Sequence, residues 1–160
     1  MKSNYLPILF IVLITSLTAC KKESYSITGK WQEVKVVTYN RDNTTGAISG
    51  NTTFPASTFG SFDYAQFNNN GTCVLSATGI TYNSLQQQTN VQVIQNYTYA
   101  KSGSGFALTP VPQNPPIISG IGVTYTVSDV LANTLIIHSV ANYLNPSVPY
   151  KTISDSYYNK

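Results

Sequence analysis

From residue 27 to the C-terminus the chain is a succession of short runs rich in Val, Ile, Thr, Tyr and Phe. Each run is cut off by Gly, Asn, Ser or Pro, and none sustains an apolar repeat of three or four. This is the pattern of an all-β chain. β-Branched and aromatic side chains fit a pleated surface, and frequent turn residues fold it back on itself. A long helix lacks its best formers, because Ala is sparse in the runs and Glu nearly absent beyond the first.

The runs can be placed coarsely. Trp31 to Tyr39 comes first, followed by a polar, flexible stretch from Asn40 to Thr53. Phe62 to Phe67 and Thr72 to Ala77 flank Asn68-Asn69-Asn70-Gly71, the strongest hairpin signal, because Asn and Gly tolerate positive φ. Tyr82 to Asn90 is polar and Gln-rich, a long loop or a short helix. Val91 to Ala100 and Phe106 to Thr109 flank a second hairpin at Lys101–Gly105. Pro110 to Gly120 holds four prolines and reads as a loop, since proline cannot donate to a ladder. Ile121 to Val127 alternates cleanly, turns through Asp129 to Asn133 into Thr134 to Val140, and Tyr150 to Tyr158 closes the chain. About eight strands in antiparallel up-and-down order suit a small closed barrel. An open β-sandwich is the alternative packing of the same strands.

With 160 residues the chain has room for one such domain. Only 9% of residues are charged, but 12 Tyr, 6 Phe and 1 Trp give ample surface to bury, so the low charge does not signal disorder. A net charge of +3, without clustered Lys or Arg, argues against nucleic-acid binding. One His and two Cys argue against a metal site, and no cofactor motif is present. Gly120-Ile121-Gly122 lacks the third glycine of a nucleotide loop.

The first residues carry an address. Lys2 precedes an apolar run from Tyr5 to Leu17, too short to favour a bilayer span and fitting a secretory signal. Leu17-Thr18-Ala19-Cys20 resembles the lipobox of bacterial lipoproteins. The resemblance implies cleavage before Cys20 and acylation of its thiol and amine by diacylglycerol and a further acyl chain such as palmitate. Two or more chains make a stable membrane anchor. The expected organisation is therefore a signal peptide over 1–19, a lipidated Cys and polar tether over 20–26, and one domain over 27–160. Lys21 follows the Cys, with no Asp to suggest inner-membrane retention, which places the expected location in the cell envelope at the outer membrane.

Ile27-Thr28-Gly29-Lys30-Trp31 resembles the Gly-X-Trp opening of lipocalins. Phe67 to Thr72 and Asn133-Thr134-Leu135-Ile136-Ile137 resemble hairpins of lipocalin-like lipoproteins from Bacteroidetes. In that family the Trp packs across the closed end of the barrel beneath a basic residue from the last strand. The resemblance implies that Trp31 is the plug. Its cover would be Lys151 or Lys160, since no Arg lies near the C-terminus.

Catalytic signatures are missing. His138 is the only histidine and falls roughly opposite Thr124, facing away from Tyr125. No Gly-X-Ser-X-Gly elbow exists. Nothing in the spacing of Glu33, Asp42, Asp63, Asp129 and Asp155 brings two carboxylates together. Cys73 sits in an apolar run with nothing basic beside it, as a structural thiol does. The sequons at Asn43, Asn51, Asn70 and Asn96 read as by-products of Asn/Thr-rich loops. The informative residues are Tyr97, Tyr99 and Tyr125. Turned inward, they either line a small-molecule cavity or fill a core with their hydroxyls bonded. The expectation is a membrane-tethered, non-catalytic barrel binding a small apolar or amphipathic ligand. The rival is an envelope interaction or glycan-binding β-sandwich module.

Overall fold

The computed structural model describes residues 25–112, 121–143, 145 and 147–160. The expected leader, Cys20 and the start of the tether lie outside these residues, as does most of the proline-rich loop. Nine antiparallel strands are described. They are β1 (Gly29–Asp42), β2 (Ile48–Phe54), β3 (Tyr64–Phe67), β4 (Thr72–Tyr82), β5 (Gln88–Ser102), β6 (Gly105–Pro110), β7 (Ile121–Val130), β8 (Thr134–Tyr143) and β9 (Tyr150–Asn159).

β1 closes the sheet. One edge pairs with β9, from Gln32 opposite Asn159 to Asp42 opposite Tyr150. The other edge is shared, with Gly29–Gln32 against β3 and Val36–Arg41 against β2. β3 to β9 follow as successive antiparallel neighbours. Eight strands therefore form a closed barrel, and β2 is an extra strand beside the far half of β1. Closure removes the open β-sandwich, which needs two separate sheets.

Local chemistry explains the turns. Between β3 and β4, Gly71 takes φ +80° while its N–H reaches the Asn68 carbonyl at 3.3 Å. The stretch expected to be flexible, Asn40 to Thr53, is instead a hairpin. The Asp42 carboxylate accepts from the N–H groups of Thr44 and Thr45 at 2.9 and 2.6 Å and from the Thr45 hydroxyl. β2 then returns along β1. The Tyr82–Asn90 stretch is neither long loop nor helix: β4 and β5 pair as far as Tyr82 opposite Gln88, and Asn83 Oδ1 accepts from Leu85 and Gln87 N–H to close the tip. Polar Gln and Asn suit an exposed strand as well as a loop, which is why composition misled there. His138 lies opposite Thr126 rather than Thr124, because the last pair before the turn is Val130 with Leu135 and β7 bulges between Val127 and Asp129.

The packed core sits at the end where the β3–β4, β5–β6 and β7–β8 turns gather. Trp31 and Leu135 are 0% exposed there, with Phe67, Cys73, Leu108, Val127 and Ile137 buried around them. Trp31 donates its indole N–H to the Ile27 carbonyl at 2.7 Å, so the segment entering β1 lies across this end. Every strand of the ring lies within residues 29–159, so the chain from residue 25 carries its own core.

Candidate functional site

Strand alternation fixes which side chains point into the barrel. The inward set includes Trp31 and Glu33 of β1. A bulge at Val34, where Glu33 faces Tyr158 but Lys35 faces Tyr157, resets the phase. Val36, Thr38 and Asn40 then continue inward, and Lys35 turns outward with its ammonium 3.7 Å from the Tyr157 ring.

Exposure divides the interior into two levels. At the closed end the inward side chains form the tight core. Beyond Glu33 they keep contact with solvent. Val91, Val93 and Val123 lie on the face continuous with the core yet remain 37%, 42% and 37% exposed. Thr38, Asn40, Ser139 and Ser154 on the facing strands are half-buried. The described interior is thus a cup, packed at the closed end and open to water toward the other, where the β4–β5 hairpin runs on past its ladders to β3 and β6.

The floor of the cup is polar. Glu33 is hydrogen-bonded to Ser156 and Tyr158, and burial, its largest influence, pushes its carboxyl above the ordinary value. Desolvation likewise raises the Tyr158 hydroxyl, with the neighbouring Glu33 charge adding to it. Tyr97 donates to Gln95 Oε1 at 2.7 Å and packs edge-on to Tyr125 with ring centres 5.4 Å apart. Burial and then Tyr125 raise its pKa too. Oriented oxygens in a half-dry cup can exchange hydrogen bonds with a ligand.

The structure brings Tyr97 and Tyr125 together on this floor. Tyr99 shares their inward side but lies a layer deeper, wedged between Phe67 and Phe106 at 5.3 and 5.7 Å with its hydroxyl on the Asn68 carbonyl at 2.7 Å. Tyr99 therefore packs against the core with its hydroxyl bonded, and Tyr97 is itself buried at 4% exposure, so both fit the core-filling alternative that the sequence left open. Trp31 lies wholly buried with the Lys160 ammonium 4.9 Å from its ring. Cys20 lies outside the described residues.

A second acidic residue, Asp63, lies close enough to Glu33 for its charge to be felt, a proximity that the spacing did not signal. The Pro55–Asp63 excursion between β2 and β3 lays Asp63 beside β1, where its carbonyl accepts from Glu33 N–H at 2.9 Å, and its charge contributes to raising Glu33. The Asp63 carboxylate itself is occupied, accepting from Gly60 N–H, Thr78 N–H and the Thr78 hydroxyl at 2.6, 2.6 and 2.9 Å. It ties the excursion to β4 in place of a ladder. His138 points outward and bonds Asp155 across the strands at 2.6 Å, on the opposite face from Glu33. Cys73 is buried and its thiol is pushed up to about 12 by desolvation. A shallow cleft of about 460 Å³ on the wall by Val34, Lys35, Ile136 and Tyr157 is a second concavity, but its one cation is already stacked on Tyr157. Sequence reasoning missed Glu33 and the hydroxyl row. The alternation of Thr152, Ser154 and Ser156 was the available signal for the row. Comparison with protein-family models, curated proteins and solved structures found no match.

Proposed function

We propose that this small β-barrel binds one apolar or amphipathic small molecule in the open half of its interior, without a catalytic step. The same reading makes Cys20 an acylated anchor that holds the barrel at the cell envelope, with the outer membrane as its site. One observation carries the binding reading. Beyond the packed core the inward Thr38, Ser139 and Ser154, each flanked by strands on both sides, stay only half-buried, where a filled barrel would hide them. Apolar walls over a floor with a few oriented polar groups are the composition of small-molecule pockets. The placement of the only histidine on the outer wall, away from Glu33, supports binding over catalysis.

The test uses N-phenyl-1-naphthylamine, whose fluorescence rises in apolar surroundings, titrated into the chain from residue 25 onward. Saturable 1:1 enhancement is expected, with loss on Val93→Lys, which places an ammonium in the cup without touching the packed end. Absence of saturable enhancement overturns the binding reading. For the anchor, cells expressing the full chain are labelled with radioactive palmitate. Incorporation lost on Cys20→Ala is expected, and an unlabelled wild type overturns it.

A further inference from the structure

The side wall of the cup is incomplete between β2 and β4. β3 is laddered on both edges, to Gly29–Gln32 of β1 and to Cys73–Ser76 of β4. β2 runs in the same lane, antiparallel to the next stretch of β1, but it is laddered to β1 alone. From Ala77 to Tyr82, β4 has β5 on one side and, among the described residues, no strand on the other. The Asp63 carboxylate reaches this edge, accepting from Thr78 N–H at 2.6 Å. Two free strand edges therefore flank a gap. Every residue of β2 is exposed, and Ile80 and Tyr82 of β4 are 58% and 61% exposed. Edges are usually guarded by charge or proline. Neither β2 nor Ala77–Tyr82 holds either.

The two edges are in register. Gln32 carries Tyr64 and, through it, Ser76. Counting up β1 from there, with the bulged Val34 left out, brings Val36 level with Gly79. Val36 pairs with Phe54, so Phe54, Thr53 and Thr52 stand level with Gly79, Ile80 and Thr81. Beyond Thr52 the shift between Thr38 and Asn40 ends the match. Hydrogen-bond direction agrees. Asp42 N–H bonds the Ala47 carbonyl, so by alternation Thr38 and Val36 also turn their backbone groups to β2. Thr52 and Phe54 answer them, which leaves the N–H and carbonyl of Thr53 facing the gap. Thr78 N–H faces the gap from the other side, and by alternation so does that of Ile80. The side chains match as well. Phe54 would lie across from bare Gly79, over which methyls of Val91 and Val93 already lean. Thr52 would meet Thr81, a favoured cross-strand pair.

We infer that β2 is a strap that zips onto β4 when the cup is filled, with Thr53 and Ile80 exchanging both backbone hydrogen bonds. This rests on the binding reading above and adds a closing motion to it. Zipping continues the β3 ladder up the wall, with Asp63 holding the rung where the chain departs for its excursion. An empty cup gains only a short ladder by closing, and water satisfies the same groups when it stays open. A filled cup also buries Phe54, now 42% exposed, against the occupant. A ligand that touches Phe54 only in the zipped state shifts the balance by that difference.

The chain from residue 25 onward carrying Thr52→Cys/Thr81→Cys tests the strap. Both threonines are exposed, so neither change removes packing, and the buried Cys73 takes no part. In the zipped register the pair is non-hydrogen-bonded, with Cα atoms about 4.5 Å apart, inside the span of a disulfide. Oxidised glutathione accepts the two electrons and two protons of the thiols and leaves as two molecules of glutathione. Cross-linking is expected at least tenfold faster than in Thr52→Cys/Tyr82→Cys, which is one residue out of register. Saturating N-phenyl-1-naphthylamine should speed it at least threefold, and the cross-linked form should hold the dye at least threefold more tightly until reduced. Ile80→Pro, with no cysteine added, is the second variant. Its lost N–H faces the gap rather than β5, so the β4–β5 ladder stays whole, and dye affinity should fall at least threefold. Equal cross-linking in the two cysteine pairs, a rate that the dye leaves unchanged, or unaltered affinity in Ile80→Pro overturns the inference and leaves the general binding reading standing. A wild type that binds no dye fails the binding reading, and closure around a ligand fails with it.

Discussion

Substituting Trp31 by Phe tests whether the closed end is as tightly built as its geometry says. The indole is 0% exposed and its N–H holds the buried Ile27 carbonyl at 2.7 Å. Phe removes the donor, leaving a dry carbonyl unpaired at about 1–3 kcal/mol. It also leaves a void where the second ring lay, worth a further 1 kcal/mol or so even after partial collapse. The sum is about 3 kcal/mol. For a domain of this size that is a fall of roughly 10 °C in Tm, from a transition entropy of about 2 cal/mol/K per residue. Urea unfolding followed by far-UV circular dichroism measures it, with the slope unchanged if the unfolded state is unaffected. Lys160→Met keeps the aliphatic stem over the ring but removes the charge 4.9 Å away. A solvent-exposed contact of this kind should cost about 0.5 kcal/mol. In the double-mutant cycle the coupling should be of the same size. A Trp31→Phe loss below about 1 kcal/mol would refute the reasoning, because no buried acceptor could then have been orphaned.

Three further outcomes follow from particular residues. Glu33 has its folded pKa raised by burial, so its ionisation opposes folding. The penalty is absent below the unfolded value near 4.5 and grows as pH rises through the folded value. Glu33→Gln should therefore raise Tm at pH 7 and make no difference at pH 4; an equal effect at both pH values would contradict the assignment. Cys73, buried with its thiol raised to about 12, should fail to react with Ellman's reagent at pH 8 and react fully in urea, and prompt native labelling would count against its placement. Gly105→Ala should destabilise by about 3 kcal/mol, since a Cβ there would run into the Val127 carbonyl beside the β7 bulge, and a backbone cannot yield cheaply. An unchanged urea midpoint would show that β6 can move away.

How much of this was legible in the sequence depends on what holds each element. The hairpin at Asn68–Gly71 and the alternation of Ile121 to Val127 announced themselves because turn chemistry and burial agree there. β2 did not. Every residue of Ile48–Phe54 is exposed, so no apolar pattern marks it, and the ladder to β1 is what holds it. That Tyr97 and Tyr125 point inward followed from period-two reasoning, which carries over to an uninterrupted strand. Tyr99 has the same parity, but depth along the barrel, which parity cannot report, makes it core. Glu33 was considered only as a member of a carboxylate pair. Its place on the cup floor follows from the parity it shares with Trp31, whereas the inward turn of Val36, Thr38 and Asn40 depends on the bulge at Val34, which no residue type signals. The Thr152, Ser154 and Ser156 alternation was visible, but the usual rule would have pointed it at bulk water. It faces the axis because Ile153 and its neighbours take the outside.

The chain enters β1 by crossing beneath Trp31, at the pole opposite the exposed valines. An acyl anchor at Cys20 would therefore moor the barrel by its sealed pole and aim its rim away from the bilayer holding it. Cargo would then arrive from the aqueous side or from a facing surface, and a donor embedded in the anchoring leaflet would be out of reach.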